Sequence, residues 1–369
     1  AGVFLHGSRK VTEKWMREKK IIRNLFVGGG ILLVPAGVLQ FAARKIPGFG
    51  QWYAVTIYPW IVGSYGRICG LVPFSVVEMG LYGLGLFFVY SLLRREWKWR
   101  KMFAGVFFTA GLLAFLYTAN CGVNYYRKPF SSYLDLQMGK ATTEDLKALC
   151  QELVEKINET APEEPVDMGL LAQGKLARTG KAAMEKLGEE YPALSGCYPV
   201  PKPVMVSWIL AVQQLCGVYS PFTVEANYNW QMTGYNIPHT ICHELSHLRG
   251  FMREDEANFI GILACTESDD AYFRYSGYLM AWVHAGNALA KADVESFYEL
   301  HSQLCGQAVQ DLQENNEYWD QYEGKVAEVS NQVNDTYLKL NDQKDGVQSY
   351  GRVVDLMLAM FLQNRQEAQ

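Results

Sequence analysis

Residues 238–250 read PHTICHELSHLRG and contain the pattern His-Glu-x-x-His. His243 and His247 are four residues apart, so on a helix both imidazoles lie on one face and can hold a single zinc ion. Glu244 lies beside them in the chain and is the expected general base for a water molecule. Gly250 follows His247 by three residues and predicts a turn that ends the helix. This stretch predicts a helical metal site.

A catalytic zinc ion takes three protein ligands and leaves one position open, so a third ligand is expected nearby. Residues 253–258 read REDEAN. Glu254 and Glu256 can each reach back toward the two histidines, and Asp255 is a further candidate. Asn258 lies one helical turn after Glu254, where an outer-sphere partner is expected. The alternative interpretation is a solvated helix start, since acidic residues are common in a first turn.

Charge is distributed unevenly along the chain. The 369 residues carry 34 Lys and Arg against 38 Asp and Glu, but the first 119 contain fifteen basic and four acidic residues. A hydrophobic fraction of 49% with 20% charged residues excludes an intrinsically disordered chain. Eight cysteines without a Cys-x-x-Cys pair do not indicate a disulfide scaffold. We expect a membrane-associated part followed by an acidic part in water.

Three apolar stretches in the basic part, at 25–43, 76–93 and 102–119, have bilayer length. At about 1.5 Å per helical residue, each spans roughly 27 Å, close to a hydrocarbon core. Glu78 would be costly deep in the second stretch, but Ser75 predicts a capping box that places the carboxylate at the interface. The sequence therefore predicts three transmembrane helices. The first is favoured over a cleaved signal peptide, because its apolar run exceeds about 15 residues.

Basic residues predict the orientation of these helices. Seven Lys and Arg lie between residues 9 and 23, and five lie between residues 94 and 101. Positive charge favours the cytoplasmic side, which predicts a multi-pass cell-membrane protein with a cytoplasmic N-terminus and an extracytoplasmic region after residue 119. The outer loop at 44–74 then contacts membrane lipid through aromatic residues suited to the headgroup layer. These are Trp52, Tyr53, Tyr58, Trp60 and Tyr65.

Beyond residue 126 the pattern is that of a mainly α-helical domain. Apolar residues at helical spacing predict helices at 142–158, 179–187, 239–248, 255–265, 272–291, 294–315 and 318–340. Glycine and proline predict a loop at 188–203, and β-branched and aromatic residues predict a strand or hairpin at 218–230. We expect a mainly α fold with a minor β component. Its parts are a membrane domain at 1–119, a helical lead-in at 120–200 and a catalytic domain at 201–369.

The motifs resemble known families. HELSH at 243–247 with EDEAN at 254–258 is similar to the gluzincin metallopeptidases, which combine HExxH with a downstream ExxAD or ExxAN. The chain as a whole is similar to a bacterial domain-of-unknown-function family of multi-pass membrane proteins. That similarity includes NYYRKPF at 124–130, PFTVEANYN at 221–229, FRYSGY at 273–278 and GVQSYGRVVDL at 346–356. It implies a zincin-like, zinc-dependent peptidase domain.

The gluzincin resemblance implies that Glu254 is the third Zn2+ ligand, with Glu256 as the fallback. Zincins usually take a donor for the oxyanion from a residue outside the ligand set. The candidates are Tyr275, Tyr350 and Arg352. By analogy with zincins, residues 221–229 are expected to supply the edge strand that binds an extended peptide. His239 and His284 are expected to be surface or capping residues, and Cys242 and Cys265 to be small core residues.

The sequence favours a membrane-anchored zinc metallopeptidase that acts on a peptide or protein. The competing interpretation is a non-catalytic zinc-binding membrane sensor or scaffold with a peptidase-like domain. Glu244 argues against that alternative, because a structural zinc site needs no base between its histidines. The sequence contains no dinucleotide fingerprint and no phosphate-binding loop, and the region beyond residue 126 contains no basic-aromatic patch, so we expect no nucleic-acid partner.

Overall fold

The computed structural model describes residues 2–94, 98–134, 136, 141–164, 166–341 and 352–367, without the side chains of 2–12, 94, 170 and 171. The fold is mainly helical, at 75%, with a small three-stranded sheet, as predicted. The first six helices are α1 (Gly2–Lys45), α2 (Phe49–Thr56), α3 (Tyr58–Ile61), α4 (Arg67–Cys69), α5 (Val76–Arg94) and α6 (Trp99–Asn120). Single turns of tighter or wider helix occupy Val62–Gly66, Gly122–Tyr126, Phe130–Tyr133 and Pro192–Leu194.

Ten further helices follow. They are α7 (Thr143–Thr160), α8 (Leu170–Glu190), α9 (Trp208–Ala211), α10 (Asn236–Leu248), α11 (Glu254–Thr266), α12 (Ala271–Ala292), α13 (Val294–His301), α14 (Gly306–Asp320), α15 (Lys325–Leu340) and α16 (Arg352–Glu367). The helix α7 opens with the capping box of Thr142 and Asp145. The helix α8 is longer than the predicted 179–187 and extends into the predicted loop at 188–203, because it packs on α10 along an apolar face that includes Met184 and Leu187.

Within the described residues, three stretches of helix are long and apolar enough to cross a membrane, which indicates a membrane protein. They are Glu13–Lys45, Val76–Leu93 and Trp99–Tyr126. The three predicted apolar helices are therefore confirmed, while their orientation stays a prediction. The helices α1 and α6 pack closely, since a Cβ on Gly111 would lie only 2.6 Å from the carbonyl oxygen of Gly29. Of the 18-residue apolar stretch of α5, only 6% is buried inside the protein.

The sheet has the strand order β1-β3-β2. Its strands are β1 (Lys202–Pro203), β2 (Gly217–Ser220) and β3 (Glu225–Tyr228). The strands β2 and β3 form an antiparallel hairpin with Val218 opposite Asn227, and β1 pairs with β3 in parallel. The hairpin predicted at 218–230 is thus confirmed. The prediction that 221–229 supplies an edge strand is wrong, because β3 is paired on both sides; β2 is an edge strand instead.

The N-terminus of α5 is attached to this sheet through a buried carboxylate. Glu225 on β3 accepts hydrogen bonds from the backbone N–H groups of Val76 and Val77 at 3.1 Å. The same carboxylate pairs with the ammonium group of Lys202, and both side chains are almost fully buried. A negative charge at a helix N-terminus satisfies its free N–H groups and interacts favourably with the helix dipole.

Glu78 makes the reciprocal attachment from α5. The backbone N–H of Glu78 donates to Ser75 Oγ at 3.2 Å, so the predicted cap is present. The carboxylate is buried and accepts hydrogen bonds from the backbone N–H groups of Met205 and Val206 at 2.9 and 3.0 Å. The sequence had predicted that the Glu78 carboxylate lies at the membrane interface in a capping box. Instead, it is buried and binds the loop before α9.

Aromatic residues of the loop 44–74 divide into two groups. Trp52, Trp60 and Tyr65 are exposed, as expected for residues that face a headgroup layer, but Tyr53 and Tyr58 are buried. The hydroxyl of Tyr58 donates to the carbonyl of Leu248 at 3.0 Å, at the end of α10. The expected lipid contact is therefore wrong for Tyr53 and Tyr58, because they pack inside the protein.

One hydrophobic core includes this loop, α7 and α10, and the predicted domain boundaries stay a prediction.

The predicted helices 294–315 and 318–340 are interrupted. Asn158 on α7 binds the chain between α13 and α14: its Nδ2 donates to Gln303 O at 2.8 Å, and the Cys305 N–H donates to its Oδ1 at 2.7 Å. One amide side chain thus satisfies a donor and an acceptor that the interrupted helix leaves free. The second break precedes α15 at Gly324, where φ is 150°. Apolar periodicity alone does not reveal either break.

The Glu225–Lys202 pair yields a stability prediction. In Glu225→Gln the buried Lys202 loses its counterion and the N-terminus of α5 loses its anionic cap. We expect the free energy of unfolding to fall by about 3–5 kcal/mol. Urea unfolding in detergent micelles measures this loss. The exposed Glu152→Gln on α7 serves as the control and should leave stability unchanged; equal stability of the two variants would contradict the assignment.

Candidate metal centre

The helix α10 presents an apolar face to the core and a polar face to a cavity. The apolar residues, all fully buried, are Ile237, Ile241, Leu245 and Leu248. His243, Glu244 and His247 line the cavity on the other side. The helix begins at Asn236, slightly before the predicted start, and Pro238 lies in its first turn, where a missing N–H is tolerated.

A tight turn connects α10 to α11. Gly250 has a φ of 97°, and its N–H donates to His247 O at 2.8 Å, which confirms the predicted turn. The buried Arg127, which follows α6 in the chain, stabilises this turn. Its Nη1 donates to Arg249 O at 3.1 Å, and its guanidinium lies 3.6 Å from the ring centroid of Phe251. The turn therefore brings the first residue of α11 back to the end of α10.

The structure brings His243, His247 and Glu254 together. His243 Nε2 lies 3.3 Å from Glu254 Oε2, and His247 Nε2 lies 3.6 Å from Glu254 Oε1. Their ligand atoms all lie within 4.8 Å of one another. Ligands about 2.1 Å from a tetrahedral zinc ion are separated by roughly 3.4 Å, so the two measured distances fit such a site. This group can hold a metal ion.

Hydrogen bonds on the far side of each imidazole orient the two histidines. His243 Nδ1 lies 3.0 Å from Asn258 Oδ1, and His247 Nδ1 lies 2.8 Å from the carbonyl oxygen of Phe251. Both partners are acceptors, so each Nδ1 donates a hydrogen bond to its partner, and each Nε2, the atom that would bind a metal, faces Glu254. Asn258 thus occupies the outer-sphere position that its spacing from Glu254 suggested.

The other two acidic residues in the first turn of α11, Asp255 and Glu256, do not join His243 and His247. Glu256 Oε1 accepts a hydrogen bond from Arg253 Nη1 at 2.9 Å. Burial raises the pKa of Asp255, and the charge of Arg352 opposes this shift. Neither residue belongs to the group with the two histidines. Among the described residues, Glu254 is therefore the carboxylate placed to complete the site, and Glu256 and Asp255 are not.

The group attracts positive charge. Burial opposes the ionisation of Glu254, but the neighbouring His247 and His243 outweigh this effect and hold its pKa well below the usual range. Burial likewise lowers the pKa of His247, yet Glu254 and Glu244 together raise it to about 9. A cation at this position would satisfy the same carboxylates. Metal binding and protonation of His247 therefore compete.

Glu244 is buried beside this group and faces the cavity. Among the described residues, its Oε2 atom has no hydrogen-bond partner. Burial raises the pKa of Glu244 to about 7, with His243 and His247 opposing the shift. Strand β2 approaches Glu244 closely, because a Cβ on Gly217 would lie only 2.6 Å from Oε1. A buried carboxylate oxygen without a partner, in a side chain that lines a cavity, can accept a hydrogen bond from water or a ligand.

The cavity has a volume of about 540 Å³. The end of α6 and the turn after it contribute Tyr117, Cys121 and Tyr125; β2 and its flanks contribute Gln214 to Tyr219, Pro221 and Phe222. The remaining lining residues are Asn236, His239, Thr240, His243, Glu244, His247, Met252, Glu254, Asn258, Met280, Asn334 and Tyr337. The sheet, the helices α10 and α11, and the end of α6 thus enclose one cavity.

Three tyrosines at one side of the cavity were missed by sequence reasoning. The Tyr125 hydroxyl donates to the Tyr337 hydroxyl at 3.1 Å, and the Tyr117 hydroxyl donates to Asn341 Oδ1 at 2.9 Å. Tyr117 and Tyr125 lie close in sequence, at the end of the third apolar stretch. The sequence could have indicated that Tyr117 and Tyr125 lie near each other. It could not indicate their contact with Tyr337, which lies more than two hundred residues further along the chain.

The predicted oxyanion donors lie in different surroundings. Tyr275 is buried and donates to Asp311 Oδ2 at 2.5 Å, and it is not among the residues that line the cavity. Arg352 begins α16 on an exposed surface. Tyr350 lies outside the described residues. The structure therefore does not bring Tyr275 and Arg352 to the group of His243, His247 and Glu254.

Of the two histidines expected at the surface, His239 is buried and His284 is half-buried. His239 lines the cavity, and its Nε2 lies 3.3 Å from the carbonyl oxygen of Asn258. Burial lowers the pKa of His239 to about 3 and that of His284 to about 4. The expectation fails for His239 because it lies one turn before His243, on the same helix face. The core assignment of Cys242 and Cys265 is confirmed, since both are fully buried.

The chain belongs to a family described as protein of unknown function (DUF3810), which matches residues 53–358. The matched region includes α5, α6, the sheet, α10 and α11. This finding agrees with the resemblance to a domain-of-unknown-function family stated above. No curated protein and no solved structure matches the chain.

The arrangement of carboxylates predicts different effects for two neighbouring substitutions. The sequence predicts zinc at this site, and Glu254→Gln, which removes the anionic candidate ligand, should then reduce the zinc content of the purified protein from about one ion per chain to nearly none. Glu256→Gln is the matched control and should retain zinc, because its carboxylate faces Arg253. Elemental analysis after dialysis measures both. Loss of zinc from the Glu256 variant alone would contradict the assigned ligand.

Proposed function

We propose that the protein is a membrane-anchored, zinc-dependent peptidase. The observation that carries this proposal is the position of Glu244, which lines the same cavity as His243, His247 and Glu254 and whose buried Oε2 has no hydrogen-bond partner among the described residues. A structural zinc site usually has four protein ligands and no open position. Here three ligands adjoin a cavity that can admit a substrate, which favours a catalytic site over a structural one.

The donor set fits zinc better than a hard cation. Two imidazole nitrogens and one carboxylate, with spacings close to tetrahedral, are a common catalytic zinc set, whereas Mg²⁺ and Ca²⁺ prefer all-oxygen sites. His243, His247 and Glu254 would hold the ion. When bound, zinc supplies a Lewis acid that polarises a carbonyl group and lowers the pKa of water.

The protein side chains supply the proton transfers. Glu244 is placed to take a proton from the attacking water and to return it to the leaving amine. Asn258 holds the His243 ring in position, since it accepts the Nδ1 hydrogen bond on the far side. The carbonyl of Phe251 does the same for His247. These contacts fix the donor atoms before a substrate arrives.

The edge strand β2 is suited to bind an extended peptide. Gly217, Val218 and Tyr219 line the cavity, and β2 pairs with β3 on one side only. An extended substrate can add to the free edge by main-chain hydrogen bonds, which would carry its backbone past Glu244. This arrangement supports a peptide substrate rather than a compact small molecule.

Tyr337 is the oxyanion donor that the cavity favours. Tyr337 lines the cavity, and its hydroxyl accepts a hydrogen bond from Tyr125 and lies 3.4 Å from Cys121 Sγ. A thiol is a weak acceptor, so the Tyr337 proton can turn from Cys121 to an oxyanion.

We also propose that the N-terminus is cytoplasmic and that the metal site lies outside the cytoplasm. The basic residues before α1 and between α5 and α6 support this orientation.

Substitution of the base tests the peptidase proposal. Glu244→Gln should reduce hydrolysis of a mixed peptide library by about 10²–10⁴-fold, because it removes the proton acceptor. Zinc content should stay unchanged, since Glu244 is not a ligand. Mass spectrometry of the library and elemental analysis measure the two effects. The exposed Glu189→Gln is the control; if Glu244→Gln hydrolysed the library as fast as this control, the role of Glu244 would be wrong.

A reporter tests the orientation. Alkaline phosphatase fused after Gln369 should be active, because that enzyme matures only outside the cytoplasm, whereas a fluorescent protein that requires the cytoplasm should not fluoresce at the same position. Activity assays and fluorescence in intact cells measure the pair. The reverse pattern would place the metal site on the cytoplasmic side and overturn the proposed orientation.

A further inference from the structure

Three apolar side chains between β1 and β2 are exposed. Met205 is 61% exposed, Trp208 55% and Ile209 42%. Trp208 and Ile209 follow Met205 by three and four positions, a spacing that brings side chains together on one face of a helical turn. We refer to these three residues as the apolar patch. Single exposed apolar residues are common, whereas a cluster of them usually marks a surface that contacts a partner.

A buried carboxylate holds the apolar patch at the start of α5. Glu78 accepts hydrogen bonds from the backbone N–H groups of Met205 and Val206 at 2.9 and 3.0 Å. Glu78 lies in the first turn of α5, whose residues Val76–Leu93 form one of the three candidate spans. The apolar patch therefore lies beside the first turn of a helix that is long and apolar enough to cross a membrane.

The position of the apolar patch matches its residue types. The first turn of a spanning helix lies near the boundary between the hydrocarbon layer and the lipid headgroups. Tryptophan is enriched at this boundary, because its ring is apolar and its N–H can still bind water or a headgroup. Lipid would also lie directly beside the patch, since almost none of the apolar stretch of α5 is buried inside the protein. Trp208 is therefore the residue type that this depth favours.

The loop before α5 adds further apolar surface next to the patch. Leu71 and Phe74 in this loop are exposed. Lys202 Nζ donates to Cys69 O at 2.7 Å and so joins this loop to β1, directly before the patch in the chain. The sequence already predicts that the loop 44–74 contacts lipid. The apolar patch therefore adjoins a surface for which lipid contact is expected, although the patch belongs to the region predicted to lie in water.

The apolar patch lies in an uncharged stretch of an acidic region. Residues 203–224 contain no Asp, Glu, Lys or Arg. Lys202 and Glu225, at the two ends of this stretch, pair with each other and are buried. Protein interfaces usually surround an apolar centre with polar and charged residues that orient the partner. A lipid bilayer requires no such groups, so the uncharged stretch favours lipid over a protein partner.

We propose that the apolar patch docks into the surface of the lipid bilayer beside the N-terminal end of α5. The partner is ordinary bilayer lipid, and the contact depends on apolar area rather than on lipid charge. It attaches the sheet to the membrane in addition to the three spans. Because β2 follows the patch in the chain and lines the metal cavity, the contact holds this wall of the cavity beside the bilayer. The inference is independent of the peptidase proposal.

Photocrosslinking to lipid tests this docking. The photoreactive residue p-benzoylphenylalanine replaces Met205 in the full chain, which is held in phosphatidylcholine nanodiscs and irradiated. Mass spectrometry should find the peptide that contains position 205 with the added mass of one phospholipid. Replacement of Ile209 in the same way gives a second position in the patch and should give the same result. Both side chains are exposed, so neither replacement disturbs the core.

The matched control is the same replacement at Tyr298 on α13, which is 66% exposed and belongs to a helix that packs on α7 and α12. It should give at least about tenfold less lipid adduct than position 205, because apolar contact with the bilayer is missing there. Replacement of the exposed Leu86 within the span of α5 is the positive control.

Three results would overturn the inference. The first is lipid adduct at Leu86 with none at Met205 or Ile209, which would place the apolar patch in water. The second is a covalent dimer of the chain at position 205 in place of a lipid adduct, which would mean that a second copy covers the patch. The third is adduct formation that requires phosphatidylglycerol in the nanodiscs, because an apolar contact should give equal yields with anionic and zwitterionic lipid.

Discussion

The five residues between α10 and α11 determine where the metal ligands can meet. Gly250 allows the chain to reverse at a positive φ, so that Glu254 faces His247 across the turn. Arg127 holds the turn by binding its backbone and stacking on Phe251. With a longer connection, the two helix ends would be free to separate, and the carboxylate would lose its fixed distance from the imidazoles. The metal centre therefore depends on a backbone constraint as much as on its ligands.

The membrane part and the metal centre form one structure. Tyr58, in the loop between the first two spans, binds the last turn of α10, and Glu225 joins the sheet to the start of α5. Tyr117 at the end of α6 lines the metal cavity. Because these contacts are buried and hydrogen-bonded, a change in the packing of the spans would reach the site directly. The spans are thus part of the site's support.

Local patterns in the sequence predicted much of the site but not its surroundings. The spacing of His243 and His247, the turn at Gly250 and the three apolar stretches are local features, and each is present in the structure. The helix break bound by Asn158 and the cavity contact of Tyr337 depend on residues more than a hundred positions apart. The burial of His239 was also not predicted, because a single histidine in a sequence does not reveal which neighbouring residues cover it.

The contribution of α6 to the cavity has a geometric consequence. Tyr117 and Cys121 lie at the end of an apolar stretch that is long enough to cross a bilayer, and both line the metal cavity. The fold therefore fixes the distance between the His243, His247 and Glu254 group and the end of this apolar stretch. For the proposed peptidase, this fixed distance would limit cleavage to bonds within a few residues of the bilayer and exclude bonds far out in a soluble domain.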